Sequence, residues 1–252
     1  MPERPLSVFL IVKNEEKNIA RCLGSVAWAD EIVVVDSGST DQTVEICRRF
    51  TDNVHERPFK NYSDQKNYAL SLVSGEWALS LDADEEVGEL LKGEILNTVQ
   101  CAASTTAAYQ IPRRSFIFGR EFRFTGTQDD RPVRLMRKGR AVFEQPIHEW
   151  VKVNGEIGIL KNFLTHRTYK DLSDYCERLN RYTSMEADYL VEKSYRIGHG
   201  DRQLKPLGMF LKLYLWKQGF RDGCEGFVFS VLSAFYVFLK YAKAAEKGKP
   251  RG

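Results

Sequence analysis

The first apolar run, Leu6–Val12, reads LSVFLIV and stops at the polar cluster Lys13-Asn14-Glu15-Glu16. A compact, β-branched run between polar flanks predicts a strand buried on both faces of a parallel sheet. Residues 18–26 then place Ile19, Leu23 and Val26 at helical spacing, and residues 31–35 (EIVVV) predict a second buried strand. Together these make a β-α-β unit. After the polar turn Asp36-Ser37-Gly38-Ser39-Thr40-Asp41, residues Val44, Ile46, Cys47 and Phe50 predict a helix over 43–50, with Thr40 or Asp41 as its N-cap. Residues 53–55 read as a short strand, 65–73 as a helix, and 76–81 (EWALSL) as a strand ending at Asp82-Ala83-Asp84. This alternation predicts an α/β fold, a Rossmann-like, mostly parallel sheet flanked by helices with right-handed crossovers.

Beyond residue 99 the pattern changes. Residues 108–112, 115–118, 133–136 and 141–143 predict shorter strands of a mixed sheet extension, interrupted by basic residues. Leu172–Glu192 and residues 206–245 have helical period with aromatics throughout, which predicts a C-terminal helical extension. At 252 residues the chain exceeds one typical domain, so the expected division is an α/β domain over 1–168 and a helical extension over 169–252.

Composition narrows the classes. Hydrophobic residues make up 43% and charged residues 28%, ordinary proportions that exclude wholesale disorder. A net charge of +3 is too mild to argue for nucleic acid as a partner. The five cysteines are scattered without a C-x-x-C pair, so neither a zinc knuckle nor a disulfide framework is indicated, and a reducing cytoplasm is expected. Residues 1–5 lead straight into the first strand without the pattern of a signal peptide.

Ligands of open parallel sheets sit outside the carboxyl ends of the strands. Three polar clusters fall there: Lys13-Asn14-Glu15, Asp36-Ser37-Gly38-Ser39 and Asp82-Ala83-Asp84. In the last, two carboxylates one residue apart can meet a hard divalent cation, Mg²⁺ or Mn²⁺, together with a ribose hydroxyl. The competing reading puts Asp84, Glu85 and Glu86 in the first turn of a helix running to Val99, where carboxylates suit the positive dipole end. Asp36 is open in the same way, between holding a nucleotide and capping its turn.

The run VFLIVKNEEKNIARCLGSVAWADEIVVVDSGSTDQTVEI, followed by SGEWALSLDADEEV, resembles glycosyltransferase family 2 with a GT-A fold. Within that family, SVAWADEIVVVDSGSTD, DRPVRLMRKG, the HEW segment and the terminal aromatic helices resemble the bacterial lipopolysaccharide core β-1,4-glucosyltransferase group. The resemblance implies that Asp36 contacts the nucleotide base, Lys66 lies near the nucleotide or diphosphate, Asp82 touches the donor ribose and Asp84 binds the metal. Lys13, Asn14 and Glu15 would line the same cleft. It further implies a UDP-sugar donor, UDP-glucose, and a lipopolysaccharide-core or other lipid-linked acceptor.

The later Glu-Asp pair and Q-x-x-R-W motif common in the family are absent in recognisable form. Their substitute is the segment 145–150 (QPIHEW), with Glu149 as the base that takes the acceptor proton in an inverting displacement. Asp130, beside Asp129, is the runner-up, against its reading as a solvated turn. His148 and His166 are candidate metal ligands beside Asp84, against the reading of each as a structural histidine. Arg131, Arg134, Arg137, Lys138 and Arg140 form a basic run that either clamps an anion or faces solvent.

Residues 227–239 (FVFSVLSAFYVFL) are apolar but only about half the roughly 20 residues that span a bilayer, so a transmembrane helix is not expected. With residues 209–220 upstream, and Lys212, Lys217, Lys240, Lys243, Lys247 and Lys249, they read as an interfacial module facing the anionic inner leaflet of a plasma membrane. The alternative is that these helices cover the sheet or form an oligomer interface. Two other functions compete, a nucleotidyltransferase and a non-catalytic nucleotide-sugar-binding protein. The first would need a glycine-rich phosphate loop where Lys13-Asn14-Glu15-Glu16 stands.

Overall fold

The computed structural model describes residues 5–101, 103, 105–144 and 150–248. In chain order these form β1 (Leu6–Val12), α1 (Ile19–Gly24), β2 (Glu31–Asp36), α2 (Thr43–Cys47), β3 (Val54–Glu56), α3 (Tyr62–Leu72), β4 (Trp77–Leu81), β5 (Glu85–Val87) and α4 (Glu89–Cys101). There follow β6 (Thr106–Gln110), β7 (Arg113–Ile117), β8 (Arg120–Phe122), β9 (Val133–Arg137), β10 (Ala141–Glu144), β11 (Trp150–Val153), β12 (Glu156–Ile159) and β13 (Leu164–Tyr169). Three helices close the chain: α5 (Leu172–Glu192), α6 (His199–Leu211) and α7 (Gly223–Lys247). They group into two compact units. Unit 1 comprises Met1–Arg113 and Arg131–His166, and unit 2 comprises Arg114–Asp130 and Arg167–Gly252.

Unit 1 is built on a seven-stranded sheet ordered β12-β6-β9-β4-β1-β2-β3. β1 pairs in parallel with both β2 and β4, and β2 with β3, while β9 runs antiparallel to β4 and β6. Side chains alternate between two cores, as the pleat requires. Leu6, Val8, Leu10 and Val12 of β1 pack with Ile19 and Leu23 of α1 and Leu91, Ile95 and Val99 of α4. Phe9 faces the other side, with Val33 and Val35 of β2, Ala69 and Leu70 of α3, and Phe143 of β10.

The chain moves from β1 to β2 and β3 on one side and then to β4 on the other. The reversal of strand order therefore falls between β1 and β4, and open α/β sheets take their ligands outside the carboxyl ends of the strands at such a point. Two elements differ from expectation. The helix expected over 43–50 stops at Cys47, and its first turn is held by Asp41, whose Oδ1 accepts from the Thr43 amide at 3.0 Å and hydroxyl at 2.5 Å. Glu85 and Glu86, expected in a first helical turn under one reading, instead open β5, which pairs antiparallel with Leu164, Thr165 and His166 of β13.

In unit 2, β7 and β8 form a hairpin, and the Asp222 carboxylate accepts from the Arg123 and Phe124 amides, each at 3.0 Å, and from the Thr125 hydroxyl at 2.6 Å. The helical stretch expected over 206–245 is interrupted. A π turn at Lys212–Trp216 and a 3-10 turn at Gly219–Asp222 separate α6 from α7. Gly226 of α7 rides directly on the carbonyl of Gly219, a place with no room for a Cβ.

Length does not exclude a spanning helix, contrary to the sequence expectation. α7 continues well past residue 239 to 25 residues, and Gly219–Lys247 is long and apolar enough to cross a membrane by length and composition. Several lysines expected at lipid headgroups have protein partners: Lys217 meets Asp129 at 2.5 Å, Lys240 meets Glu186 at 2.7 Å, and Lys247 pairs with Asp188. Lys243 donates to the Asn180 carbonyl at 2.8 Å. Lys212 is exposed, and Lys249 lies outside the described residues.

Candidate active site at the carboxyl ends of β1 and β4

The polar clusters after β1, β2 and β4 come together because the parallel register aligns the strand ends, with Val12 beside Asp36 and Leu10 beside Leu81. Asn14, at φ 55°, donates its amide to the Ser39 hydroxyl at 2.9 Å and accepts the Thr40 amide at 2.8 Å, tying the first loop to the second. Glu15 donates its amide to the Thr43 hydroxyl at 2.7 Å and accepts from the Asn18 side chain at 2.9 Å, and Lys13 is exposed. Asp36 is buried. Its Oδ2 accepts the Gly38 and Ser39 amides, each at 2.9 Å, and its Oδ1 accepts the Ser39 hydroxyl at 2.5 Å. The carboxylate thus shapes the loop around Gly38, whose φ of 83° suits glycine.

After β4 the chain makes a turn closed by the Glu85 amide donating to the Asp82 carbonyl at 3.0 Å. A reciprocal bond runs from the Asp82 amide to Glu85 Oε2 at 2.9 Å. This turn sends the two aspartates to different partners. Asp82 takes Lys66 of α3 on Oδ1 at 3.1 Å and Arg134 of β9 on Oδ2. Asp84 lies 3.4 Å from Nε2 of His166, which β5–β13 pairing places opposite Glu85. Both side chains of that pair are mostly enclosed, at 13% and 12% exposure.

Beneath the turn lies a charge network that the sequence concealed. Arg134 is buried and bridges Asp82 and the fully buried Glu85, reaching Glu85 Oε1 at 2.6 Å. Arg113 meets the same oxygen at 3.1 Å. Three cations, Lys66, Arg113 and Arg134, thus face the two carboxylates of Asp82 and Glu85. Arg134 is neither of the things read from the basic run: it does not face solvent, and its Nη2 is spent on two protein carboxylates. Arg137 is likewise drawn inward, paired with Glu76 and stacked 4.6 Å over the Trp77 ring. The available signal was a lone arginine inside the apolar run Val133-Arg134-Leu135-Met136.

Burial alone would raise the Asp82 carboxyl. Attraction from Arg134, then Lys66 and Arg113, with the Arg134 hydrogen bond, outweighs it and holds the group well below the usual carboxylate range. A depressed folded-state value gives stability that is present above the unfolded pKa of about 3.9 and is lost as pH falls toward the folded value. Urea unfolding between pH 7 and pH 2 is therefore expected to show this contribution constant down to about pH 4 and declining below it. The decline should be shallower in Asp82→Asn. An equal acid slope in that variant would show that another group is responsible.

The remaining site residues from the sequence divide as follows. Asp130 follows the 3-10 turn Thr127–Asp129 in unit 2, and the neighbouring Asp129 is occupied by Lys217. Glu149 and His148 lie outside the described residues. Among the described residues, no group of three or more His, Cys, Asp or Glu is disposed to hold a metal ion. Asp84 and His166 supply two donors, one carboxylate oxygen and one imidazole nitrogen. That set fits a divalent cation whose other positions are filled from outside the protein, as is usual for Mg²⁺ and Mn²⁺ held against phosphates.

The sequence pattern that defines "Glycosyl transferase family 2" matches residues 7–163, which include every strand of the large sheet and the whole Asp82–Glu85 turn. The chain belongs to glycosyl transferase family 2. This family 2 glycosyltransferase is 30% identical to the lipopolysaccharide core biosynthesis glycosyltransferase LpsC of Rhizobium meliloti, over 98% of this chain and 94% of LpsC. It is 31% identical to an uncharacterized glycosyltransferase of Rickettsia typhi, over 96% of this chain and 87% of the relative. Among solved structures, that of S. aureus TarS in complex with UDP-GlcNAc superposes with a TM-score of 0.50 at 16% identity, covering 97% of this chain and 89% of that one. The likeness establishes the GT-A fold, in agreement with the alternation of strands and helices.

Proposed function

We propose that this glycosyltransferase moves a hexose, glucose, from a UDP-sugar to a hydroxyl of a lipopolysaccharide-core or other lipid-linked acceptor at the inner face of a bacterial plasma membrane. The observation that carries the reading is the turn after β4, which sends Asp82 to two cations and Asp84 to His166 at the carboxyl end of the strand. The acceptor class is supported by the likeness to LpsC, and the donor class by a fold shared with a protein whose complex holds UDP-GlcNAc.

In this scheme unit 1 is the catalytic part and unit 2 the membrane-associating part. Asp36, Asn14, Lys13 and Glu15 frame the place of the nucleotide base. Asp82 meets the ribose with lone pairs that its two cations leave open, and Lys66 adds positive charge close to the diphosphate. Asp84 and His166 would hold Mg²⁺ or Mn²⁺, with His148 as a further candidate ligand. When bound, the cation supplies charge neutralisation to the departing diphosphate. Glu149 takes the acceptor proton, with Asp130 as the alternative base, and attack opposite the leaving group inverts the anomer.

The test is a donor screen on the purified protein with several UDP- and GDP-sugars, in the presence of Mn²⁺, Mg²⁺ or EDTA, reading nucleoside diphosphate and sugar 1-phosphate release. UDP release is expected from UDP-glucose, falling at least about 100-fold in EDTA. Release of sugar 1-phosphate in place of UDP would favour nucleotidyl transfer. Inertness toward every donor would favour a binding protein.

A further inference from the structure

The proposed scheme for sugar transfer places no residue on the outward face of α6 and α7. An amphipathic helix normally turns its large apolar side chains inward, and α7, whose Phe229 packs on Phe122 and Tyr175, turns a second row of them outward. Its inward stripe is small or hydroxyl-bearing at Gly226, Ser230, Tyr241 and Ala244, with Val237 between them. Its outward stripe is Phe227, Val231, Phe235 and Phe238, each 40–46% exposed. The preceding helix and π turn repeat the pattern with Leu204, Leu207, Leu211 and Leu215, and Trp216 beside them is 82% exposed. Phe227 joins the two stripes, its ring centroid 5.9 Å from that of Phe210 and 5.5 Å from that of Tyr214.

Apart from the exposed Lys212 of the π turn, the lysines near this surface are drawn away from it. Lys240 and Lys247 are tied to Glu186 and Asp188 of α5, Lys243 donates to Asn180, and Lys205 meets Asp201 at 2.6 Å. Among the large exposed side chains described for the two stripes, the Trp216 indole alone offers a hydrogen-bonding group. A protein partner would ordinarily require about one hydrogen bond per 100–200 Å² of interface, whereas hydrocarbon requires none. Nor does α7 suit a crossing orientation. Its opposite side carries Lys240, Lys243 and the Tyr236 hydroxyl on Glu186, all satisfied by α5, so only one side of the helix is fit for lipid.

We propose that the outward face of α6 and α7 lies in the plane of a lipid bilayer and holds the protein there by apolar burial, with charge attraction a minor contribution. The proposal deepens the membrane location given under the proposed function and rests on it. Its test reads lipid binding without turnover, so the two fail separately. The full chain is sedimented with vesicles of phosphatidylcholine alone and with added phosphatidylglycerol, at low and high salt. Binding to the neutral vesicles is expected, changing less than about twofold with salt, because the Debye length falls to about 3 Å at 1 M while apolar burial persists.

Phe235→Ser with Phe238→Ser is expected to lower partitioning at least about tenfold, with far-ultraviolet circular dichroism and donor hydrolysis retained. Trp216→Ser, at a side chain with little protein contact, should lower it in the same direction. Binding confined to phosphatidylglycerol and lost in salt would overturn the proposal, as would unchanged binding in these variants. Sedimentation velocity supplies the remaining arm. A dimer dissolved by the double variant, with vesicle binding absent from the native chain, would assign the face to a second copy instead.

Discussion

Asp84→Ala is expected to lower kcat/KM by about 10²–10³-fold, the range found when one preorganised electrostatic group is removed from a transition state. The structural cost should be small. The turn that carries Asp84 is closed by Asp82 and Glu85, through the amide-to-carbonyl bond at 3.0 Å and the amide-to-carboxylate bond at 2.9 Å, and neither uses the Asp84 side chain. Thermal unfolding should therefore move little while activity collapses. Asp84→Asn, which keeps the shape and removes the charge, should match the alanine variant more closely than the native enzyme, and its residual activity should rise with Mn²⁺ concentration. Transfer kinetics across a Mn²⁺ series decide the matter: native kcat/KM in either variant would remove Asp84 from the chemistry.

The second large effect belongs to Arg134→Met, and it is expected in stability. Removing one partner of a buried ion pair costs about 3–5 kcal/mol, because the charge left behind stays out of water. Glu85 is fully buried and Arg134 is its closest cation, yet Arg113 remains on Glu85 at 3.1 Å and Lys66 on Asp82 at 3.1 Å. The expected loss therefore lies near the lower end, about 3 kcal/mol. Arg134→Lys should recover only part of it, since the shorter side chain must carry its ammonium to the place where a single guanidinium nitrogen, Nη2, meets both Asp82 and Glu85. Urea unfolding of the three proteins measures this directly. A loss below about 1 kcal/mol in Arg134→Met would mean that water already reaches the network.

Those two residues also mark where the sequence was readable and where it was not. The loop that bears Asp84 stood out because strand periodicity ends abruptly in carboxylates, a local signal, and the central strands and α5 were legible for the same reason. Glu85 was ambiguous. Acidic residues ahead of an apolar, helically spaced run satisfy the rules for a helix start, and only pairing with β13 and the reach of Arg134, 49 positions away, make it a strand. The strands β8, β11, β12 and β13 escaped notice because they are three to six residues long, with largely polar or exposed sequences whose partners lie elsewhere in the chain. The lysines of α7 show the same limit. Their spacing reveals a basic helix, but α5, more than fifty residues earlier, decides which way they turn.

The large sheet of unit 1 ends on β3, three residues long, and on β12, four residues long. Margins this brief present few unpaired backbone groups to another chain, so intact molecules have little template for growing ordered fibrils from their sides. Material lost from a stored, concentrated solution would accordingly be amorphous and keep its native spectroscopic signature, without the 4.7 Å reflection of stacked strands.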